Sequence, residues 1–319
     1  MAARIAFRGA SAVRGWVEGG TNCRAEARAR GKKSGSNSQA PKLGKALADA
    51  GVGSRRRCEQ LIAEGRVTVN SEIVHNVAER IQVRHDSVSV DGSLVRGKGA
   101  HLPPKLYLAV NKPTQYICSS VSNPSVGVSK QNKRVIDLVD SYLNAQQRKR
   151  TTKRPPRLFT VGRLDVASEG LILVTNDGAF ADKVMHPRNE VVKEYVVTAE
   201  AKPTWRQLRN MLNQGAMIEG KRVIPLRCDR VEPMDGGSPN RFVVEVVDGR
   251  KHEVRELCAQ NGVHIHKLKR VRIGGLKIPP SISNKPGATV ELRTHEVKRV
   301  TSKSAMNNQE SNSYAPVIS

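Results

Sequence analysis

Residues 161–178 of the chain are VGRLDVASEGLILVTNDG, and they define the centre of its larger domain. A loop that begins with glycine carries Arg163 and Asp165 two positions apart and leads directly into the apolar run Leu171–Thr175. Such a run, bounded by Asn176-Asp177-Gly178, predicts a buried β-strand. A carboxylate placed just before a buried strand can act as a nucleophile, as a general base, or as a turn residue that bonds its own backbone. The segment alone leaves these three roles of Asp165 open.

Strand and helix signals alternate irregularly on both sides of this segment. The predicted strands cover residues 106–110, 171–175, 195–198, 242–247 and 263–273. The predicted helices cover residues 180–185, 204–213 and 253–259, and Thr204 with Gln207 has the spacing of a capping box. The pattern therefore predicts one domain of mixed strands and helices over residues 105–298, followed by a disordered polar tail at 299–319.

A smaller α/β unit is predicted over residues 41–95. Two helices, at residues 43–50 and 55–63, precede short β-rich segments at 66–69 and 87–90, and Ser54 is placed to cap the second helix. Basic residues cluster around this pair of helices, at Lys42, Lys45, Arg55, Arg56, Arg57 and Arg66. Residues 96–104, RGKGAHLPP, form a Gly/Pro linker to the larger domain.

The charge of the chain indicates a polyanionic partner. Its 54 lysines and arginines and 29 acidic residues give a formal net charge of +25. Residues 1–40 contribute only +6, so the rest of the chain still carries +19. A surplus of that size attracts nucleic acid and speeds its capture. Residues 148–157 add a basic run that we expect to be an exposed RNA-facing loop, with Arg148, Lys149, Arg150, Lys153 and Arg154.

The aromatic and cysteine contents narrow the class of protein further. With 4 Phe, 2 Trp and 5 Tyr, platforms that stack many single-stranded bases are disfavoured, and backbone contact with structured RNA plus one or two rings is favoured. The five cysteines form no Cys-x-x-Cys pair, which argues against a zinc site or a disulfide framework and indicates a reducing compartment. No apolar run approaches the roughly 20 residues that a membrane span needs.

The N-terminal segment has the composition of a targeting sequence. Residues 1–40 are rich in Arg, Ala, Ser and Gly and contain only 2 acidic residues. This composition is typical of an organellar transit peptide. The alternative is a disordered basic arm that helps to hold RNA.

Residues 161–178 resemble the signature of the RsuA/RluB-type rRNA pseudouridine synthases of bacteria and organelles, G-R-L-D-x-x-T/S-x-G-L-L-L-L-T-N-D-G. Further stretches similar to this family occur in its order along the chain: Asn111-Lys112-Pro113, before this segment, and His186-Pro187, Lys193-Glu194-Tyr195, Gly249–Arg255, Leu268 and Arg270–Gly274 after it. Thr114-Gln115 replaces the usual Lys-Gly, and Glu253 replaces the usual Gln. The likeness covers residues 41–295 and is strongest toward plastid members from plants.

The resemblance implies an α+β fold with two domains. Residues 41–95 resemble the αL-type RNA-binding domain that one small-subunit ribosomal protein shares with these synthases, through Ser54-Arg55-Arg56 and Gly65–Asn70. The larger domain would then be the pseudouridine synthase catalytic domain, built on a mixed, largely antiparallel sheet.

The resemblance also implies the site residues. Asp165 would be the catalytic residue, and the substrate or its target base would be contacted by Arg163, Tyr195, Arg255 and Leu268. Tyr195 would lie against the flipped uracil, and Arg255 would pair with Asp165 and keep it ionised in a dry pocket. The alternatives are a core tyrosine within a strand and an exposed helix arginine that binds phosphate.

Uridine isomerisation suits such residues, because moving uracil from a nitrogen–carbon to a carbon–carbon glycosidic bond needs no redox change and no added group. It needs a carboxylate that stabilises or traps the ribose, and a base taken out of the helix. We therefore expect no cofactor and no metal, since the pair His264 and His266 lacks a third ligand. If residues 263–273 form a regular strand, His264, His266, Leu268, Arg270 and Arg272 share the face of the pocket.

Two functions remain from different classes. In the first, Asp165 isomerises one uridine of structured organellar ribosomal RNA and so supports ribosome maturation. In the second, the chain is a catalytically silent RNA-binding or ribosome-assembly factor that retains the fold. We expect a monomer in the chloroplast, with the mitochondrion as the alternative. The expected partners are ribosomal RNA and pre-ribosomal particles, and no membrane.

Overall fold

The computed structural model of the chain describes residues 40–82, 85–96, 104–118, 133–147, 157–231 and 240–302. The predicted transit segment, except its last residue, lies outside these ranges. So do residues 148–156 of the predicted basic loop, with Arg148, Lys149, Arg150, Lys153 and Arg154, and most of the predicted tail.

The N-terminal domain consists of two helices and a four-stranded antiparallel sheet of order β2-β1-β3-β4. Its elements are α1 (Leu43–Asp49), α2 (Arg55–Ala63), β1 (Val67–Val69), β2 (Glu72–Ile73), β3 (Val88–Val90) and β4 (Ser93–Arg96). The predicted cap of α2 is present, because the Ser54 hydroxyl accepts a hydrogen bond from the backbone N–H of Arg57. The sequence does not predict β2 and β4, since both are short and largely exposed and therefore carry no apolar alternation.

The larger domain contains the remaining elements. Its strands are β5 (Tyr107–Lys112), β6 (Phe159–Val161), β7 (Glu169–Thr175), β8 (Lys193–Ala199), β9 (Ala216–Ile218), β10 (Lys221–Val223), β11 (Arg227–Arg230), β12 (Arg241–Val246), β13 (Ile265–Ile273), β14 (Leu276–Lys277) and β15 (Thr289–Glu291). Its helices are α3 (Val135–Gln147), α4 (Gly178–Met185), α5 (Trp205–Gln214), α6 (Glu253–Gln260), α7 (Pro280–Ser283) and α8 (Thr294–Thr301). A 3-10 turn, Pro187–Asn189, follows α4.

Nine of these strands form one mixed sheet of central order β11-β12-β8-β13-β7-β5-β15, with β14 beside β13 and β6 beside β7. Among the described strands of this sheet, β13 and β7 are the one parallel pair, and the other neighbours are antiparallel. The predicted α+β fold with a largely antiparallel sheet is confirmed.

The central strands are buried on both faces. Along β7, Leu171 and Leu173 pack into one hydrophobic cluster, and Ile172 and Val174 pack into another. Helices cover both faces, since residues of α3, α5 and α6 belong to one cluster and residues of α4, α7 and α8 to the other. A strand buried on both faces has no polar side to display, which explains the continuous apolar run in its sequence.

Helix α8 extends the domain beyond its predicted end at residue 298. Val300 is fully buried in the cluster formed by α4, α7 and α8. The helix also passes very close to the turn after β13, because a Cβ atom added at Gly274 would lie 1.9 Å from the carbonyl oxygen of Val300. The predicted start of the tail at residue 299 is therefore too early.

Gly170 permits the parallel contact between β7 and β13. It pairs directly with Arg270 at a φ of +103°, and an added Cβ atom would lie 2.2 Å from the Arg270 carbonyl oxygen. We expect Gly170→Ala to lower the free energy of unfolding by about 3 kcal/mol or more, through backbone strain and the clash together. Urea denaturation of the purified protein measures this change.

Gly178 is the matched control for that substitution. It opens α4 eight residues later, and an added Cβ atom there meets no atom within 4 Å. Gly178→Ala should change the free energy of unfolding by no more than about 0.5 kcal/mol. Equal effects of the two substitutions would contradict the proposed importance of the β7–β13 contact.

Candidate active site

The loop between β6 and β7 presents Asp165. Gly162 starts the loop at a φ of 74°, where glycine is favoured, and the Ser168 N–H donates to the Asp165 carbonyl at 3.0 Å. The backbone of Asp165 is therefore part of a turn, while its carboxylate lines a cavity. Within the described residues the contacts of this carboxylate are with His252 and Arg255 and not with a nearby backbone N–H. Asp165 is thus not the Asx-type turn residue that its segment alone allowed.

Arg255 approaches this carboxylate from α6. Its Nε lies 3.6 Å from Asp165 Oδ2, and its Nη2 donates to the Ser168 hydroxyl at 3.2 Å. The structure brings the predicted pair together and adds Ser168 as a third member. The two charged side chains are 27% and 31% exposed, so the dry pocket predicted around them is wrong for this structure. Water reaches the pair and screens its attraction.

Further basic groups surround Asp165. His252 adopts a left-handed backbone, with a φ of 56°, just before α6, and its Nε2 lies 3.8 Å from Asp165 Oδ1. Arg163, which is exposed, and Lys251 line a second cavity of about 550 Å³ that shares Asp165 with the first. This arrangement is suited to binding the phosphates that adjoin a nucleotide placed at Asp165.

The turn before α6 is closed by Glu253, which stands where the family pattern has Gln. Its Oε2 accepts a hydrogen bond from the backbone N–H of Arg250 at 2.8 Å. Burial raises the pKa of the Glu253 carboxyl above its ordinary value. The Glu253 carboxyl oxygen is thus the acceptor that fixes the loop carrying Lys251 and His252.

Lys112 supports the Asp165 loop from below. It ends β5 and is fully buried, and its Nζ donates to the carbonyl oxygens of Asp165, Val166 and Ser168 at 3.0, 3.3 and 2.6 Å. A fourth bond, to Pro113, measures 3.0 Å. Burial lowers the pKa of this ammonium group to about 8. The sequence places Lys112 in a family stretch but does not predict this role, although a lysine two residues after a buried apolar run is itself a signal.

The first cavity has a volume of about 490 Å³, within the range of small-ligand sites. Tyr195, on β8, lines it and is only 8% exposed, and Leu268, on β13, is 3% exposed. Arg270 is buried beside them: its Nε donates to the Leu171 carbonyl at 2.8 Å and its Nη1 lies 3.5 Å from the Tyr195 hydroxyl. Tyr195 thus belongs to the hydrophobic core and to the cavity at once. The two interpretations of its sequence position, a core tyrosine and a residue that contacts the target base, are therefore compatible.

Strand β13 does not keep the alternation predicted for residues 263–273. Its pairing with β8 shifts register between Ile265 and Lys267 and again between Arg270 and Arg272. Each such irregularity reverses which side chains face the pocket. After the second shift Ile273 lines the cavity.

The set of residues predicted to face the pocket from β13 is therefore only partly correct. Leu268 and Arg270 line the cavity as predicted, whereas His264 and His266 are exposed and lie away from it. Arg272 points to the other side of the sheet and pairs with Glu194 and Glu245, at 2.7 and 2.9 Å.

The basic residues of the N-terminal domain that are predicted to bind RNA differ in their exposure and in whether they already form ion pairs. Lys42, Arg55, Arg56 and Arg57 are exposed, and Lys45 is half-buried. Arg66 is exposed but already engaged, since it forms a two-bonded ion pair with Asp91, 2.7 Å for each bond, and a third bond to Glu64 at 3.1 Å. Arg55 and Arg56 form no ion pair with any described residue, which leaves them free for phosphates.

Across the described ranges, no group of three or more His, Cys, Asp or Glu side chains could hold a metal ion. The same ranges contain no helix of the length and hydropathy needed to cross a membrane.

Two family models match the chain, one of RNA pseudouridylate synthase over residues 106–260 and one of the S4 domain over residues 42–88. The chain belongs to the pseudouridine synthase family and carries an N-terminal S4 domain, and both kinds of domain bind RNA. The predicted family and domain types are confirmed.

Relatives from plants and bacteria support this assignment. A chloroplastic protein of Arabidopsis thaliana, SVR1, whose name places it with ribosomal large subunit pseudouridine synthases, is 43% identical over 82% of this chain and 60% of its own length. An uncharacterized RNA pseudouridine synthase of Aquifex aeolicus is 32% identical over 81% of this chain and 93% of its own. Ribosomal large subunit pseudouridine synthase B of Bacillus subtilis is 30% identical over 81% and 95%. The chain thus spans less than two thirds of the Arabidopsis relative and nearly all of the other two.

A solved pseudouridylate synthase structure has the same fold. It superimposes with a TM-score of 0.52 at 21% sequence identity, covering 81% of this chain and 99% of the other. At that identity the likeness supports the fold alone.

We expect Lys112→Met to loosen the Asp165 loop, because the loop carbonyls lose a charged donor. A hydrogen bond to a charged group contributes about 1.5–3 kcal/mol, so the Ser168 amide, which bonds the Asp165 carbonyl, should exchange its hydrogen at least about ten-fold faster. The pKa of about 8 adds a pH dependence: above it the amine keeps two N–H donors instead of three. Protection of Ser168 in the wild-type protein, corrected for intrinsic exchange, should therefore fall as the pH rises through about 8.

Lys269 is the control for this measurement. It is a partly buried lysine whose Nζ donates to the Ser283 carbonyl at 3.1 Å, outside the Asp165 loop. Lys269→Met should leave exchange at Ser168 unchanged. If the Ser168 amide of the Lys112→Met protein exchanged its hydrogen as slowly as in the wild type, Lys112 would not be what holds this loop.

Proposed function

We propose that this chain is a ribosomal RNA pseudouridine synthase and that Asp165 is its catalytic carboxylate. The observation that supports this most directly is the position of Asp165. A loop clamped by the buried Lys112 presents its carboxylate at the mouth of a cavity that contains Tyr195, Leu268 and Arg270.

The proposed reaction is an isomerisation of the target nucleotide. The bond between N1 of uracil and C1′ of the ribose breaks, a bond between C5 and C1′ forms, C5 loses a proton and N1 gains one. Asp165 would stabilise or trap the ribose at C1′ while the base is detached, as carboxylates do in glycosidases. The positive charge of Arg255, whose Nε lies 3.6 Å from Asp165 Oδ2, attracts this carboxylate and helps to position it.

The buried side chains of the cavity would hold the detached uracil. Tyr195 offers a ring that is fixed within the core, and Leu268 closes the apolar side. Extrusion of the base from its helix costs a few kcal/mol, and contacts of this kind offset that cost. Arg163 and Lys251 at the mouth would bind the adjoining phosphates.

We infer that the substrate is structured ribosomal RNA of the chloroplast, free or in pre-ribosomal particles, and that the chain acts as a monomer. The names of the Arabidopsis and Bacillus relatives refer to the ribosomal large subunit, and the Arabidopsis protein is chloroplastic. The composition of residues 1–40 supports an organelle. Mapping pseudouridines in chloroplast and mitochondrial rRNA, with and without this protein, tests both choices. An unchanged map in both organelles would favour the assembly factor instead.

Asp165→Asn should abolish pseudouridine formation and leave RNA binding within about two-fold of wild type. The substitution keeps the shape of the side chain and the backbone carbonyl that Lys112 holds, and it removes only the ionisable group. Tritium release from uridine-labelled rRNA in a single-turnover assay measures the reaction. Asp182→Asn, at an exposed position on α4, is the control and should be fully active. Substantial turnover by Asp165→Asn would remove Asp165 from its role.

The free arginines of the N-terminal domain should supply salt-dependent affinity. Each phosphate contact contributes about 0.9 to the slope of log affinity against log salt concentration for a duplex, so replacing Arg55 and Arg56 together by alanine should make the slope shallower by nearly two. Arg66→Ala is the contrast, because Arg66 is held by Asp91 and Glu64. It should leave the slope almost unchanged. An unaltered slope in the double variant would argue against RNA binding by this surface.

A further inference from the structure

An exposed tryptophan stands at the far edge of the sheet from the catalytic loop. Trp205 is the first residue of α5 and is 60% exposed. The capping box of Thr204 and Gln207 fixes the start of this helix and therefore the position of the Trp205 backbone. Single exposed apolar residues are common on proteins, so exposure alone indicates nothing. The surroundings of this indole, however, are those of a binding site.

One face of the indole is occupied by an arginine. The guanidinium carbon of Arg230, on β11, lies 4.2 Å from the centroid of the Trp205 ring, a cation–π distance. Arg230 is itself held, because its Nη2 donates to the carbonyl oxygen of Pro203. Since the ring has a cation on one face and is still 60% exposed, its opposite face is open to solvent.

The cations around this ring favour a nucleic acid over a protein surface. Lys202, Arg206 and Arg209 are all exposed, and α5 contains no acidic residue. Trp205 and Arg209 are one helical turn apart and so share a face of α5. An apolar protein partner would bury these charges without compensation, whereas a nucleotide offers a base to the ring and phosphates to the cations.

The ring also lies on the correct side of the sheet. Arg230 pairs with Phe242, Phe242 pairs with Val197, and Tyr195 follows two residues away on β8. Directly paired residues point to the same face, so Arg230 and Tyr195 share one. From the spacing between strands and the rise along them, their Cα atoms are about 12 Å apart. One RNA molecule can reach both places.

We propose that Trp205 is a second RNA contact, on which one unpaired base of the RNA stacks at a distance from the target uridine. Arg230 lies against the other face of the ring, and Lys202, Arg206 and Arg209 flank it. This inference rests on the proposed function only in taking RNA as the substrate. The contact would select RNA with an unpaired base at a fixed distance from the modified position, and so contribute to the choice of uridine.

Fluorescence tests the stacking directly in the full chain. The sequence has 2 tryptophans, so Trp16→Phe leaves Trp205 as the one remaining tryptophan, and excitation beyond the tyrosine absorption band isolates its emission. A short single-stranded, adenine-rich RNA should quench this emission, and the same RNA annealed to its complement should quench it much less. Equal emission with and without the single strand would overturn the proposal. This measurement leaves Trp205 unaltered and therefore does not depend on the folding of a variant.

Affinity for in vitro transcribed chloroplast rRNA provides the second test. Stacking of a base on an aromatic ring contributes about 1–3 kcal/mol, so Trp205→Leu should raise Kd about ten-fold. Trp205→Phe, which keeps an aromatic face, should recover most of that loss. Ile224→Ala, at another exposed apolar residue of the same domain, should bind as wild type. Equal affinities of the leucine variant and the wild type would reject the contact, and a melting curve of each variant verifies folding.

These outcomes are separate from failure of the proposed function. If the wild-type chain forms no pseudouridine but Trp205 is quenched by RNA, the stacking contact stands and the catalytic proposal fails. If the wild type is active while Trp205 is neither quenched nor needed for affinity, the contact alone is rejected.

Discussion

The buried ammonium group of Lys112 determines where the Asp165 carboxylate lies. Nζ lies within hydrogen-bond distance of four carbonyl oxygens, three of them in the loop of Asp165. A buried charge is costly unless it is fully hydrogen-bonded, and buried carbonyls are costly without a donor. If the loop moved away, the ammonium group would lose its acceptors and the carbonyl groups would lose their donor. Both losses would cost free energy at once. The position of Asp165 is therefore fixed by β5 beneath the loop, and the loop sequence alone does not fix it.

Arg270 connects this loop to the cavity lined by Tyr195 and Leu268. Its backbone pairs with Gly170 across the parallel strands β7 and β13, and its side chain donates to the Leu171 carbonyl and approaches the Tyr195 hydroxyl. Arg270 thus sets the register between β7, which follows Asp165, and β8, which carries Tyr195. Gly170 makes this possible, because a side chain at that position would collide with the Arg270 backbone.

Much of this arrangement could be predicted from sequence, and the exceptions have physical causes. Local signals located the helix caps at Ser54 and Thr204 and the buried strand β7, and the family resemblance brought together Asp165, Arg255, Tyr195 and Leu268. The face of β13 was predicted wrongly, because register shifts depend on the neighbouring strand β8. The engagement of Arg66 by Asp91 and the exposure of the Asp165–Arg255 pair also escaped, since both depend on contacts between distant segments.

The partial exposure of Asp165 and Arg255 has a consequence for catalysis. In the free protein water screens the pair, so its attraction contributes little to folding. A nucleotide entering the cavity would displace that water, while Tyr195, Leu268 and Arg270 are already buried in place. Electrostatic interactions strengthen when water is excluded. The attraction between Arg255 and the ionised carboxylate would therefore become strongest once the substrate is bound, when the ribose needs that charge.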